Sequence, residues 1–154
     1  MRVRTILASV GVFLAGFAVS LAADSYMGTW KLNESLSKLS PMAGKNHTVV
    51  YSAAGNDVKV TVDGVGTDGK PTHNEWTGKF DGKDYPVIGD PTSDTRAYKV
   101  VDDHTLAMTI KKGGKVTVTG TIKVSPDGKT RTVSTSGMDS MGMKIENNAV
   151  YDKQ

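Results

Sequence analysis

The side chains that could carry chemistry in this chain are few, and each type limits what reaction is available. The 154 residues include no Cys. That excludes a thiol nucleophile, a zinc–thiolate site and a disulfide scaffold. The three His, His47, His73 and His104, fall on different strands or turns, with no partner His two or four residues away and no His-x-x-x-His or Glu-x-x-His spacing. His73 and Glu75 lie two apart on one strand face and could form an acid/base pair, although a solvated pair is the expected reading. No Ser sits in Gly-x-Ser-x-Gly, and no Gly-rich turn leads from a strand into a helix. A hydrolase elbow and a phosphate cradle therefore lack support. The chain is not expected to be an enzyme, and no cofactor is implied.

Arg and the aromatics say more. Beyond Arg2 and Arg4 there are two Arg, Arg96 and Arg131, against 15 Lys. A guanidinium is a planar fork suited to a carboxylate, whereas strand Lys are ordinary solvated residues. Arg131 alternates in phase with Val133, and Arg96 with Tyr98 and Val100, so one of the two is expected at a cavity mouth. Tyr51, Trp76, Phe80 and Tyr98 all fall on the apolar parity of their strands, where they fill a core or line a pocket. Met138, Met141 and Met143 form Met-x-x-Met-x-Met. Thioethers are soft ligands for Cu(I) or Ag(I), but Met is also an adaptable gap-filler at a barrel end.

The elements that must position these residues can be read from punctuation and period. Gly55-Asn56, Asp63-Gly64, Asp68-Gly69, Asp81-Gly82, Gly113-Gly114 and Asp127-Gly128 are turn dipeptides. Between them apolar residues alternate with Thr and Lys at period two, as in Val58, Val60 and Val62 or Leu106, Met108 and Ile110. This is the pattern of half-buried antiparallel strands. Ten strands are predicted: 28–33, 46–53, 57–63, 71–80, 84–88, 95–102, 104–111, 115–125, 130–137 and 144–152. Short hairpins join nearly all of them, so consecutive strands should be neighbours in an up-and-down meander. A meander this long closes on itself to remove its edges. The fold class is all-β: one antiparallel barrel of about eight to ten strands, with at most one short helix at Glu34–Leu39, ended by Pro41.

The first 22 residues read differently. Met1 to Arg4 is a short basic stretch, Thr5 to Val19 is apolar, and Ser20-Leu21-Ala22 supplies small residues for cleavage. That is the form of a secretory signal peptide, too short and wrongly flanked for a transmembrane anchor. Residues 1–22 are expected to be removed, leaving one domain over 23–154. Losing Arg2 and Arg4 lowers the net charge from +3 to +1. A domain so near neutrality has no electrostatic footprint for nucleic acid or an anionic membrane. Export to a periplasm or the medium is expected, as a monomer.

The two ends of the domain carry a resemblance. Gly28-x-Trp30 near the start and Val150-Tyr151-Asp152 at the close resemble the ends of a calycin barrel, the group of lipocalins and intracellular fatty-acid-binding proteins. With Gly28-Thr29-Trp30-Lys31-Leu32-Asn33 and Asp81 to Val87, the chain is also similar to small exported bacterial lipocalin-like proteins. The resemblance implies that Trp30 closes one end of the barrel and that Tyr151 points inward. In fatty-acid-binding proteins the closing strand carries Arg-x-Tyr, which holds the ligand carboxylate. Here Tyr151 matches the Tyr, but Ala149 stands at the Arg position. The helix pair that follows the first strand in those proteins has only Asn33 to Lys45 to occupy here.

The resulting expectation is a non-enzymatic carrier or sensor for a small, apolar or weakly polar molecule. Tyr51, Trp76, Phe80 and Tyr98 would hold the molecule, with Tyr151 as a polar handle and Arg131 beside it by hairpin pairing. A cavity above about 300 Å³ would favour this reading. A filled interior with an exposed apolar patch would favour a protein-interaction or inhibitor-like barrel. The third alternative is metal handling by the Met cluster.

Overall fold

The computed structural model describes residues 21–139 and 141–154. The expected signal peptide lies outside these residues, apart from Leu21 and Ala22. Those two open a four-residue helix, α1, Leu21–Asp24. No helix among the described residues is long and apolar enough to cross a membrane.

Ten strands follow: β1 Gly28–Leu32, β2 Lys45–Ala54, β3 Asp57–Val65, β4 Pro71–Gly78, β5 Tyr85–Ile88, β6 Thr95–Asp102, β7 Thr105–Lys112, β8 Lys115–Val124, β9 Thr130–Met138 and β10 Lys144–Lys153. Each pairs antiparallel with its sequence neighbours, and β1 also pairs with β10, closing one up-and-down barrel. The all-β single barrel read from the alternation is the fold observed, and the strand limits agree closely. The β7–β8 hairpin shows why. Gly113 and Gly114 both take positive φ, 57° and 75°, which a two-residue turn with this twist requires.

Two departures matter for the site. The segment after β1 forms a single 3-10 turn, Glu34–Leu36, rather than a helix reaching Leu39. Asn33 caps it through Oδ1, which accepts from the Leu36 amide. The segment is then strapped to β10. Lys38 and Asn148 exchange backbone hydrogen bonds of 2.8 Å, and the Ser40 amide donates to Asn147 Oδ1 at 2.7 Å. The second departure is that β4 stops at Gly78, so Phe80 lies beyond the strand. A Cβ on Gly78 would run into the Tyr85 ring and meet the Trp76 ring at 2.8 Å. The chain leaves the sheet where that ring crowding begins, and strand parity no longer governs Phe80.

The wall is uneven. β9 and β10 pair along their whole length, from Lys144 with Met138 to Asp152 with Thr130. By contrast β5 meets β4 only at Glu75–Ile88 and Trp76–Val87, and β6 only at Tyr85–Arg96 and Pro86–Thr95. Behind that thin stretch sits an aromatic cluster. Trp76 lies edge-on to Tyr98 at 4.8 Å and to Tyr85 at 5.7 Å, and stacks on Phe80 at 6.3 Å. Rings bring more apolar area per residue than any other side chain, so they stiffen a wall that has few ladder bonds of its own.

Candidate functional site

The alternation of β2, β6, β9 and β10 turns one side chain in two toward the barrel axis, and there a cavity of about 200 Å³ remains. Tyr51, Arg96, Tyr98, Met108, Arg131 and Tyr151 line it, with Leu39 from the strapped segment and Asn46 from the start of β2. The rest of the lining is apolar except Lys45, Thr135 and Asn147, and no Asp, Glu, His, Ser or Cys among the described residues contributes. The volume is below the roughly 300 Å³ at which drug-sized pockets begin. Space remains for one compact molecule.

Two guanidiniums dominate the chemistry of this lumen. Arg131 is 2% exposed and Arg96 is 6% exposed. Neither has a carboxylate at ion-pair distance among the described residues. Arg131 is held by π-faces. Its Cζ lies 5.0 Å from the Trp30 ring, 5.0 Å from Tyr51 and 4.8 Å from Tyr151. Such contacts are worth about 0.5–2 kcal/mol each, but they act above and below the guanidinium plane. In that plane, Nε and Nη1 are buried with no acceptor among the described residues.

Arg96 is better anchored, and still incomplete. Its Nη1 donates to Tyr98 Oη at 3.4 Å and Nη2 to Asn74 Oδ1 at 3.3 Å, while Nε has no protein acceptor. Burial opposes the Arg96 charge, yet Tyr98, Tyr51 and the more distant Asp90 together raise its pKa. Asp90 feels the same pair from the other side. Burial pushes its carboxyl up, but hydrogen bonds from Thr92 and Ser93, with help from Arg96, hold it below the usual carboxylate range. Two of the lumen phenols are pushed further from ionisation. Burial and then Tyr98 push Tyr51 well above the ordinary tyrosine value, and burial raises Tyr151 despite Arg131.

The expected site residues divide under this geometry. Tyr51, Tyr98, Arg131 and Tyr151 converge on the lumen, and the hairpin register sets Tyr151 directly opposite Arg131. The Tyr151 hydroxyl, however, donates to the Asn46 carbonyl at 3.0 Å, and Arg131 meets its ring rather than its oxygen. Trp76 is 1% exposed and packed into the aromatic cluster, with its indole N–H donated to the Arg96 carbonyl at 2.8 Å. It does not line the lumen. Phe80 lies at a separate cleft of about 730 Å³ at the opposite end, beside Met27, Val58 and Val100. That cleft is larger, but its walls are mostly exposed residues such as Ser52, Asn56, Lys79 and Asp81.

Both Arg reach the lumen, where one was expected at its mouth. Asn74, which holds Arg96, gave no signal in the sequence, since a strand Asn is usually solvated. The resemblance placed Trp30 at the barrel end, and the structure shows it fully buried with its N–H donated to the Tyr26 carbonyl at 2.8 Å. His73 is exposed, with Nδ1 2.6 Å from Asp63 Oδ1 and Nε2 3.5 Å from Glu75 Oε1. It is a solvated surface pair, as its position predicts.

The fold and lumen define a single closed antiparallel barrel with a basic, ring-lined interior. No family model matches the chain, and no curated protein does either. Among solved structures it is similar to EF1p2_mFAP2b bound to DFHBI, with a TM-score of 0.49 and 12% identity over 86% of this chain and 97% of that one. It is also similar to mFAP1, a redesigned β-barrel bound to DFHBI (0.46; 17% identity; 87% and 100% covered). A third is a fluorescence-activating β-barrel designed de novo (0.44; 17% identity; 86% and 97% covered).

Proposed function

We propose that this chain is an exported, non-enzymatic binding barrel whose lumen holds a small organic anion, of about the size of a single-ring carboxylic acid or phenol. One observation carries the reading: two buried guanidiniums face a cavity that contains no acidic side chain. A charge removed from water without a counter-charge is among the most costly features a fold can contain. Aromatic faces offset part of that cost for Arg131 but leave in-plane donors unmet. A bound carboxylate supplies both the charge and the acceptors, and guanidinium favours it in a forked geometry.

This revises the expected ligand. Ala149 at the position of the family Arg suggested an uncharged or weakly polar molecule. Arg131, across the hairpin from Tyr151, places a cation in the same region from the neighbouring strand. The limit on size comes from the 200 Å³ volume, which suits a compact acid better than a long acyl chain. Support for the non-enzymatic reading is the lining itself, in which no nucleophile has a base beside it. Support for export is the form of residues 1–22.

Matched pairs test the proposal. Benzoate against benzamide, and a phenolate against its methyl ether, are titrated while Trp fluorescence is followed. Trp30 reports because Arg131 lies over its ring. The acids are expected to bind at least about tenfold more tightly, a difference of about 1.4 kcal/mol. Equal affinity within each pair, or binding unaffected by Arg131→Met, would overturn the anion reading.

A further inference from the structure

The Met-x-x-Met-x-Met stretch between β9 and β10 is not used by the lumen, and the structure removes its ordinary explanation. Met138, Met141 and Met143 are 69%, 70% and 56% exposed. They fill no gap and close no barrel end. Three unpacked thioethers within six residues leave apolar surface in water with no gain to the fold.

Hydrogen bonds among the described residues of this turn form without them. The Asp139 amide donates to the Met143 carbonyl at 2.9 Å. Asp139 Oδ1 accepts from the amides of Met141 and Met143 at 2.9 and 2.8 Å. Met138 pairs across the hairpin with Lys144, and Asp139 stands opposite Met143, so the hairpin ends bring the backbones that carry Met138 and Met143 together and Met141 lies in the loop that joins them. Each Met side chain has three rotatable bonds and can swing its sulfur toward a common point.

The competing donors nearby are engaged, with one exception. Glu146 is paired with Lys144 at 2.5 Å, and Asp139 Oδ1 is occupied by the two amides. Asp139 Oδ2 is buried with no hydrogen-bond partner among the described residues. No cluster of His, Cys, Asp and Glu that could hold a harder ion occurs among those residues. What the turn offers is three neutral soft sulfurs beside one carboxylate charge. Soft ligands select soft cations, and a single negative charge balances a single positive one. We infer that this turn is a binding site for one soft monovalent cation, Cu(I) or Ag(I), distinct from the lumen.

The test uses Ag(I) on the full domain with its methionine methyl groups isotopically labelled. The expected result is saturation at one Ag(I) per chain, with the Met138, Met141 and Met143 methyl resonances shifting and the buried Met108 unmoved. The variant M138L/M141L/M143L keeps apolar bulk on exposed positions, so it is expected to fold normally and keep benzoate binding. It should lose stoichiometric Ag(I) uptake, and Zn(II) should not bind the wild type at this turn. Absence of Ag(I) binding would overturn the inference. So would binding that leaves these methyls unshifted or survives in the triple variant, and either outcome would leave a protein-docking role for the exposed Met.

Discussion

The aromatic cluster behind β4–β6 and the guanidinium lumen share one barrel interior, yet they are built on opposite principles. In the cluster, Trp76 is surrounded by Phe80, Tyr85 and Tyr98, and its one polar atom has a partner at 2.8 Å. In the lumen, Arg131 has three rings around it and two donors without acceptors. The sealed end beside Trp30 is intermediate, since the Trp30 N–H is met but the Tyr26 hydroxyl is buried without a partner. Packing that satisfies its polar atoms serves the fold. A buried cation left incomplete is, on the proposed function, completed by a ligand.

The comparison breaks most easily on the stability side. Trp76→Ala is expected to cost about 3–5 kcal/mol, because it opens a cavity among rings that brace the least-paired strands. Urea unfolding measures this, and a loss below about 1 kcal/mol would show that the cluster does not hold the wall. Arg131→Met should behave in the opposite way. Replacing an incompletely paired buried charge with apolar bulk is expected to leave the ligand-free protein as stable, or to stabilise it by about 1–2 kcal/mol. The same change should abolish anion binding. A large destabilisation would instead assign Arg131 to structure through its cation–π contacts.

How far the sequence carried this division can be seen residue by residue. Period-two alternation and turn dipeptides are local signals, and they identified the barrel, its strands and the Tyr151–Arg131 pairing. Phe80 packs on the core rings as its apolar position implied, but parity was extended past Gly78, where the strand ends, so its border on the separate cleft was not legible. Trp76 was on the correct face, but its depth along the axis separates core from lumen, and depth is not written in a two-residue period. That no carboxylate among the described residues lines the cavity beside Arg96 and Arg131 is a property of ten strands together. No single strand shows it.

Smaller perturbations sharpen the picture. Tyr151→Phe deletes the hydroxyl donated to the Asn46 carbonyl and is expected to cost about 0.5–1.5 kcal/mol. Because the ring that faces Arg131 stays, anion affinity should change less than in Arg131→Met. Thermal unfolding and calorimetry of the same variant check the two halves of this expectation.

The weakest effect lies on the surface. Hydrogen bonding to Asp63, and then to Glu75, raises the His73 pKa above its ordinary 6.5. A group whose pKa is higher folded than unfolded adds stability that is complete below the unfolded value. That stability is lost as pH climbs through the folded value. Wild type should therefore exceed His73→Gln in Tm more at about pH 5.5 than at about pH 8.5. An equal difference at both would show that the Asp63–His73–Glu75 contact does not contribute to folding.

On the proposed function, Arg96 and Arg131 together hold an anion in the lumen. The most direct measurement follows the arginine Nε–H resonances by ¹⁵N NMR during titration with benzoate and, separately, with benzamide. The two buried Nε–H groups are those without a protein acceptor, so each should shift downfield on gaining one. The account predicts that both signals move saturably with benzoate, with a common dissociation constant, and stay in place with benzamide. Benzoate binding that leaves both Nε–H signals unmoved would contradict it.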